Sequence, residues 1–456
     1  MAKAAAANPH HRDLTSGNLW QDIWYLSWPT LISMVLQTLP TVLDGVWLGR
    51  LGADALAAAG IGMALRVTLI SPLMALSSGG GAVVARYVGA RDQDRANSAV
   101  LQSVLLFTVT AGVIGALAAT WTPTLLRWAG ASGPVLALST RYARVLFLGL
   151  IAMELVPSIG AMLTAAGSPQ LSLRVNLLSG AVALILEPAL VLGVGSFQGL
   201  GILGASLALV IGYTIGMIYS LHLLLTRQAS AWIDVHHLTL DWPLIRRIVA
   251  ISLPAVVQRG MPNLAQSILL RVLAGYGSVA LATFNIITRI FSLASIPSQA
   301  IGRGAAALVG QNLGARQPAR AERGGWYIGW SALGVAVAFV GAVTALGPQV
   351  VAIFTDEAPV IAASAGAMVV LGLGYICYAT GLAFEYSISG AGDTLSPMVI
   401  NALGLWAIQI PLLYVLAEVL GYKAQGVWWA YAIGRALIVV MTIVRFRQGR
   451  WKLKEI

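Results

Sequence analysis

Long apolar stretches, bounded by glycine, proline and charged residues, recur along nearly the whole chain. A membrane-spanning helix needs roughly 20 mostly apolar residues, and the stretches reach that length at 23–48, 55–83, 97–120, 135–165, 171–194, 200–226, 248–275, 279–310, 325–354, 358–389, 395–420 and 424–445. Prolines within these stretches predict kinks: Pro29, Pro40, Pro72, Pro157, Pro254 and Pro297. The pattern predicts an all-α polytopic membrane protein with twelve transmembrane helices.

The longest polar interruption, RQASAWIDVHHLTLDWPLIRR, divides these stretches into two sets of six. It is too short for a domain, so we interpret it as a linker. The predicted organisation is a cytoplasmic N-terminal segment, a first six-helix bundle, a cytoplasmic linker, a second six-helix bundle and a basic cytoplasmic tail, at 1–20, 21–226, 227–247, 248–447 and 448–456.

The two sets match each other at a constant offset of 225 residues. Pro29 falls on Pro254 and Pro72 on Pro297, GADALAAAGI pairs with GSVALATFNI, and GARDQDRA pairs with GARQPARA. Such an offset indicates gene duplication. Because six is an even number, both halves enter the membrane in the same sense, which predicts two parallel bundles related by a pseudo-twofold axis along the membrane normal. Transporters that alternate access use this arrangement, although duplication could also have served only to stabilise a scaffold.

Composition and charge place the chain in the membrane. It is 58% hydrophobic and 10% charged, whereas soluble domains are about 25% charged. The basic residues behind the net charge of +11 concentrate in alternate loops, which indicates cytoplasmic termini rather than nucleic-acid binding. We therefore predict a monomer in a bacterial or archaeal plasma or inner membrane, in contact with membrane lipids, and no secretory signal.

Motifs for other chemistry are missing from the sequence. None of the four lysines follows a glycine, so no phosphate-binding GxxxxGK[ST] loop exists. His236 and His237 are adjacent, and Cys377 is the only cysteine, so we expect no metal site, no disulfide and no cofactor beyond a coupling cation, H⁺ or Na⁺. The chain is predicted not to be an enzyme.

Two acids inside predicted spans are the strongest functional candidates, because a charge at the centre of a span costs roughly 2.5–3.5 kcal/mol. Asp44 lies in the first span and Glu187 in the fifth, at similar depth. Two carboxylates in one low-dielectric pocket cannot both ionise cheaply, so the pair can take up a proton or hold a cation. At the 225 offset they fall on Leu269 and Leu412, which confines the pair to the first half. The alternatives are an interfacial acid at Asp44 and a helix-break acid at Glu187.

Other polar residues within the spans are weaker candidates, and most intramembrane charges are interpreted as structural. Those that could line a cavity are Gln37, Asn176, Glu154, Glu385 and Arg303.

Three segments, taken in order, resemble the multidrug and toxic compound extrusion (MATE) transporters: SWPTLISMVLQTL with VLDGVWLGRLGADALAAAG, LVGQNLGARQPARAER, and SGAGDTLSPMVINALGLW. The resemblance implies two six-helix bundles that export amphipathic, often cationic compounds against inward flow of protons or sodium ions. It also implies that Asp44 is the first-helix acid and Pro29 the residue at which that helix bends. Glu187 stands where many members have Asp in an NxxxDP-like pattern, but Ala183 replaces the Asn, which favours protons. Another branch of the family has an acid in the seventh helix and an Asp in the tenth. Both are absent from this chain, which has Pro262 and Tyr378 near the corresponding positions.

The leading hypothesis is secondary-active antiport of amphipathic small molecules. The second is a flippase for lipid-linked saccharides, whose cavity would be lined by the arginines Arg66, Arg259, Arg289 and Arg303. A channel or an intramembrane enzyme lacks its motifs, and the sequence does not identify the substrate.

Overall fold

The computed structural model of the protein describes residues 12–234 and 239–454, which are almost entirely helical. The first half contains α1 (Leu19–Leu51), α2 (Ala53–Gly89), α3 (Gln93–Thr120), α4 (Thr122–Trp128), α5 (Gly133–Leu148), α6 (Leu150–Ala165), α7 (Pro169–Leu192) and α8 (Ile202–Leu225). The second half contains α9 (Trp242–Ala274), α10 (Ser278–Gly314), α11 (Pro318–Leu346), α12 (Pro348–Ala352), α13 (Ala358–Gly390), α14 (Leu395–Ala402), α15 (Ile410–Tyr414) and α16 (Lys423–Arg447). His236 and His237, which were excluded as metal ligands on spacing, lie outside the described residues, as does most of the predicted N-terminal segment.

Most of these helices are long and apolar enough to cross a bilayer. Among the described residues, nine single spans qualify by length and hydropathy, and two bent pairs make eleven. The remaining long helix is α9, with 33 residues. Its arginines, Arg246, Arg247, Arg259 and Arg271, lower its hydropathy. Together these elements occupy the twelve predicted stretches.

Of the two bent helix pairs, one bends beside a proline and the other does not. The pair α5 and α6 is bent by 51° at Gly149, where a Cβ atom would come within 2.4 Å of Val210, and not at Pro157. Helix α10 bends by 44° between Leu293 and Ser295, just ahead of Pro297. Helix α1 runs unbroken through both of its prolines, so the bending role of Pro29 stays a prediction.

Three local features were not predicted. The stretch expected at 325–354 is divided, because α11 ends at Gly347, which adopts φ 49°, and Pro348 starts α12. A short antiparallel hairpin, β1 (Gly193–Val194) and β2 (Phe197–Gln198), joins α7 to α8. Wide π-helical turns cover Leu403–Gln409 and Val415–Val419, on either side of α15.

The backbone repeats the 225-residue offset in its exceptional conformations. Helices α2 and α10 both have 37 residues, and their bounds differ by 225 at both ends. Left-handed residues recur in matched pairs: Gly52 and Gly277 (φ 114° and 104°), Arg91 and Arg316 (56° and 58°), and Gly167 and Gly392 (83° and 87°). Because a positive φ is rare outside glycine, the recurrence at Arg91 and Arg316 indicates a shared ancestral turn.

The chain forms two compact units that follow the halves except at their edges. The first unit consists of Trp28–Leu253 with the described residues before Leu14, and the second consists of Leu14–Ser27 with Pro254–Ile456. The boundaries between the two units therefore lie next to Pro29 in α1 and next to Pro254 in α9. These two prolines are matched by the 225-residue offset. Each unit has its own apolar core, which includes Leu48, Met153 and Leu209 in the first and Phe284, Phe291 and Met368 in the second.

Candidate ion-coupling site

Three helices of the first unit bring two carboxyl groups and a tyrosine together. Asp44 comes from α1, Tyr142 from α5 and Glu187 from α7. The Tyr142 hydroxyl donates a hydrogen bond of 2.9 Å to Asp44 Oδ2, and the Glu187 carboxyl group is close enough to Asp44 for the two to interact electrostatically. Asp44 is 4% exposed, and the other two side chains are fully buried. The structure thus unites the two acids that the sequence singled out.

The carboxyl oxygens of this cluster lack donors. Asp44 Oδ1 and both Glu187 oxygens have no hydrogen-bond partner among the described protein groups. An ionised carboxylate only accepts hydrogen bonds, so two of them can bond to each other only when a proton is held between them. Burial of two unpaired negative charges is costly. The arrangement is therefore chemically suited to hold a proton or a small cation.

The surroundings of Glu187 limit the number of oxygen ligands. Ala183, one turn earlier on α7, is buried in an apolar cluster with Leu48 and Tyr142, so no side-chain oxygen comes from that position. Helix α8 packs closely against Ala183, since a Cβ on Gly212 would lie 2.9 Å from the Ala183 methyl group. Because Pro188 has no N–H, the backbone carbonyl one turn earlier in α7 has no hydrogen-bond donor within the helix.

Tyr142 was missed by the sequence analysis. A tyrosine in an apolar run is ordinary, but its position in the second half is held by Ala367, so it shares with the two acids the property of being confined to the first half. Gly62 of α2 makes room for its ring, since a Cβ there would lie 3.0 Å from the ring carbon Cδ1.

A buried ion pair lies beside this cluster in the same unit. Arg66 of α2 binds Glu154 of α6 at 2.6 Å, and Arg66 is close enough to Tyr142 to act on it electrostatically. Glu154, a candidate cavity acid, is 4% exposed and already has a cationic partner.

The remaining candidates form two separate groups. In the first unit, Gln37 donates to Asn176 at 3.0 Å. In the second unit, Gln258 and Asn401 donate to the two oxygens of Glu385 at 2.8 and 2.9 Å. Arg303 lies in the second unit too, close enough to Tyr386 to act on it electrostatically. No group of three or more His, Cys, Asp or Glu side chains suited to a metal ion occurs within residues 12–234 and 239–454.

The two halves also match one family profile. The profile described as MatE matches residues 29–188 and again 254–415. The chain belongs to the MatE family. The two matches begin 225 residues apart, at Pro29 and Pro254, which agrees with the duplication. Membership makes the chain a multi-pass membrane transporter of small molecules rather than an enzyme.

Relatives and solved structures cover nearly the whole chain. "Probable multidrug resistance protein YoeA" of Bacillus subtilis is 25% identical over 96% of both chains, and "Multidrug resistance protein NorM" of Burkholderia vietnamiensis is 28% identical over 92% of both. "FAD transporter" of Shewanella oneidensis is 26% identical over 68% of this chain. A crystal structure of MATE in the bent conformation superposes with a TM-score of 0.88 at 23% identity, covering 96% of each chain. The predicted all-helical twelve-span fold is confirmed.

The second sequence hypothesis, a flippase with an arginine-lined cavity, receives no support. The four arginines on which it rested do not form one group. Arg66 is paired with Glu154 in the first unit, Arg289 is exposed on α10, and Arg259 and Arg303 act electrostatically on Tyr386 in the second unit.

Proposed function

We propose that this protein exports amphipathic, often cationic small molecules by alternating access, in antiport with an ion bound at Asp44 and Glu187. The observation that carries the proposal is the buried pair with three carboxyl oxygens that lack donors. Multidrug resistance proteins among the relatives support the substrate class. No resident cofactor is needed, because the energy comes from the coupling ion.

Competition between ion and substrate would drive the cycle. When the pair is ionised, its charge attracts a substrate cation into a low-dielectric surrounding, where the attraction is strong. Binding of the coupling ion neutralises the pair, weakens that attraction and releases the substrate. Tyr142 holds Asp44 in place through its hydrogen bond and adds a polar group to the site.

A proton fits this site better than a sodium ion. Hard cations in proteins surround themselves with roughly six oxygen ligands. The side chains of the site offer the carboxyl oxygens of Asp44 and Glu187 and one hydroxyl, and Ala183 adds none, so a sodium ion would also need the backbone carbonyl that Pro188 leaves without a donor. One proton held between two carboxylates removes the unpaired charge without further ligands.

The deciding experiment is dye efflux from proteoliposomes under separately imposed pH and sodium gradients. We expect a pH gradient to drive export and Asp44→Asn to reduce it to background. Asp54→Asn is the matched control, because Asp54 is an exposed acid ten residues later in the chain, and it should export normally. Export by Asp44→Asn at the wild-type rate would refute the mechanism, and export driven only by sodium would refute the choice of ion.

We also propose a bacterial or archaeal cell membrane as the location, with both termini cytoplasmic and a monomer surrounded by lipid as the working form. The arginine-rich α10–α11 turn supports this orientation. In a Cys377→Ser background, Asp356→Cys should react with an impermeant maleimide in right-side-out vesicles, and Gln317→Cys only after lysis. The reverse labelling pattern would overturn the orientation, and a dimer mass in native mass spectrometry would overturn the monomer.

A further inference from the structure

A buried arginine of the second unit lies against two aromatic rings and has no hydrogen-bond acceptor among the described residues. Arg435 of α16 is 9% exposed. Its guanidinium group lies over the rings of Tyr378 on α13 and Tyr431 on α16, 4.9 and 5.3 Å from their centroids. Its Nε atom is enclosed and bonds to no described group, and no hydrogen bond or ion pair within residues 12–234 and 239–454 includes Arg435.

Two other arginines with little exposed surface show what Arg435 lacks. Arg66 binds Glu154 at 2.6 Å and Arg320 binds Asp22 at 2.8 Å. A guanidinium group is always charged and has five N–H donors in its plane, and its burial is costly unless the charge is paired and hydrogen-bonded. The two rings stabilise the charge of Arg435, but no oxygen of the described residues accepts from its donors.

One acid acts on Arg435 without bonding to it. Glu385 of α13 interacts electrostatically with Arg435, but its two oxygens accept from Gln258 and Asn401 at 2.8 and 2.9 Å. Asn401 is fixed in turn, because it also donates to the Pro397 carbonyl at 2.9 Å. Neutral amides therefore hold this carboxylate in place, and the in-plane donors of Arg435 are available to a ligand.

The two tyrosines beside Arg435 belong to a connected group of rings from α10, α13 and α16. Tyr378 lies 5.8 Å from Tyr375, which stacks on Phe291 at 5.5 Å, and Tyr431 lies edge-on to Phe284 at 6.0 Å. We call these five residues the aromatic cluster. Tyr378 and Tyr431 are only half-buried, so part of their surface is open next to the guanidinium group.

The aromatic cluster and its arginine are confined to the second half. A Cβ on Gly374 would lie 3.0 Å from the Tyr431 ring, so glycine lets α13 and α16 pack closely there. At the 225 offset, the aromatic cluster and Arg435 correspond to Ala59, Arg66, Leu150, Met153, Ser206 and Val210. None of these counterparts is aromatic, so the arrangement is not part of the scaffold that the halves share.

The chemistry of these groups indicates a ligand. Aromatic faces stack on planar aromatic compounds, and the edge of a guanidinium group matches a carboxylate, with two parallel N–H donors for two oxygens. We propose that Arg435, Tyr378 and Tyr431 bind an aromatic carboxylate, with its ring against the tyrosines and its carboxylate on the guanidinium edge. This deepens the proposed export function, on which it rests for the source of the ligand.

Two flat fluorescent compounds that differ in charge test the proposal, anthracene-2-carboxylate and its methyl ester. Affinities are measured by fluorescence titration of the full-length protein in nanodiscs of zwitterionic lipid, with empty nanodiscs as the reference for partition into lipid. We expect the acid to bind about tenfold more tightly than the ester, because a charge-assisted hydrogen bond supports a difference of that order. Equal affinities would overturn the proposal.

Replacement of the arginine locates the effect. Arg435→Met should weaken binding of the acid by roughly tenfold and of the ester by less than about twofold. Exchange of a buried charge for an apolar residue of similar volume is often tolerated, and retained ester binding shows that the variant is folded. Arg447→Met is the matched control, because Arg447 is exposed on the same helix, and it should change neither affinity.

An unchanged affinity for the acid in Arg435→Met, or an equal loss for acid and ester, would overturn the proposal. Thermal unfolding of the wild type gives a reading that needs no variant. A ligand that binds only the folded protein raises its unfolding temperature, so the acid should raise it more than the ester does at equal concentration. Equal shifts would count against the site as well.

The contribution of the rings is tested by Tyr378→Leu and by octanoate, a carboxylate without a ring. Tyr378→Leu should weaken binding of both the acid and the ester by roughly fivefold, because aromatic pairing serves both. Octanoate should displace the aromatic acid only at concentrations at least about tenfold higher than unlabelled benzoate-type acids with fused rings require. Full affinity for the aromatic acid in Tyr378→Leu would overturn the role of the rings.

An anionic lipid headgroup could bind the same guanidinium group, and the nanodisc composition separates the two ligands. If phosphatidylglycerol in the nanodiscs abolishes the preference for the acid, the arginine is a lipid site and the proposal fails. Failure of the export function is distinguishable. In proteoliposomes, efflux of a cationic dye that is driven by a pH gradient and lost in Asp44→Asn supports export whatever the aromatic acid does.

Discussion

The two halves of this transporter share a scaffold and differ in its buried charges. At positions related by 225 residues the left-handed turns are the same, down to the matched arginines Arg91 and Arg316. The first unit contains Asp44, Glu187 and the Arg66–Glu154 pair, whereas the second contains Arg259, Arg303 and Arg435 among its helices. Backbone geometry is thus shared by the two halves, and the proposed function rests on side chains that only one copy possesses.

The largest effect should come from making the first half resemble the second at the carboxylate pair. In the double variant Asp44→Leu and Glu187→Leu, each acid is replaced by leucine, the residue at the matched positions Leu269 and Leu412 of the second half. We expect efflux to fall to background while the protein stays folded, because replacing buried ionic groups by apolar residues of similar volume is often neutral or stabilising by about 1–4 kcal/mol. Dye efflux and thermal unfolding are measured together. Leu269→Met is the control for a conservative change at a matched position.

Export by that double variant would show that the difference between the halves lies elsewhere. Unfolding well below the wild-type temperature would show instead that the pair stabilises the structure.

The next largest effect concerns the buried ion pair of the first unit. Arg66→Met leaves the Glu154 carboxylate buried without its 2.6 Å partner, which should cost about 3–5 kcal/mol of unfolding free energy. Arg66→Met combined with Glu154→Leu should recover most of that loss, because the second half has the apolar residues Phe291 and Ala379 at these positions. The test is thermal or denaturant unfolding in mild detergent. A double variant no more stable than Arg66→Met alone would contradict it.

The sequence was sufficient to predict the twelve spans, because a spanning helix must be long and apolar, and to select Asp44 and Glu187, because charges in spans are costly. It could not identify the partner of Arg66, because Glu154 is 88 residues away and only the packing of α2 against α6 joins them. The 51° bend lies at Gly149 rather than at Pro157. At Gly149 helix α8 comes so close that a Cβ would lie 2.4 Å from Val210, and such a contact between helices cannot be read from the sequence.

A third comparison concerns two arginines at matched positions after the long second helix of each half. Arg320 donates to three backbone carbonyls, two at 2.9 Å and one at 3.4 Å, and to the fully buried Asp22 at 2.8 Å. Its counterpart Arg95 makes an exposed contact of 3.6 Å with Asp92 and lies 5.9 Å from the centroid of the Tyr87 ring. We expect Arg320→Ala to lower the free energy of unfolding by about 2–4 kcal/mol and Arg95→Ala to lower it by less than about 0.5 kcal/mol. Thermal unfolding provides the measurement, and equal losses would contradict the comparison.

The smallest expected effect tests what the halves still share. Arg91 and Arg316 follow α2 and α10 in the left-handed conformation, with φ 56° and 58°, which costs a side-chain-bearing residue roughly 1–2 kcal/mol. Replacement by glycine removes that strain but increases the conformational freedom of the unfolded chain, so Arg91→Gly and Arg316→Gly should each stabilise the protein by about 0.5–1 kcal/mol. The measurement is the shift in thermal unfolding of each single variant and of the double variant, whose shift should be the sum. Shifts of opposite sign would mean that the two turns, alike in backbone, have diverged in the contacts that hold them.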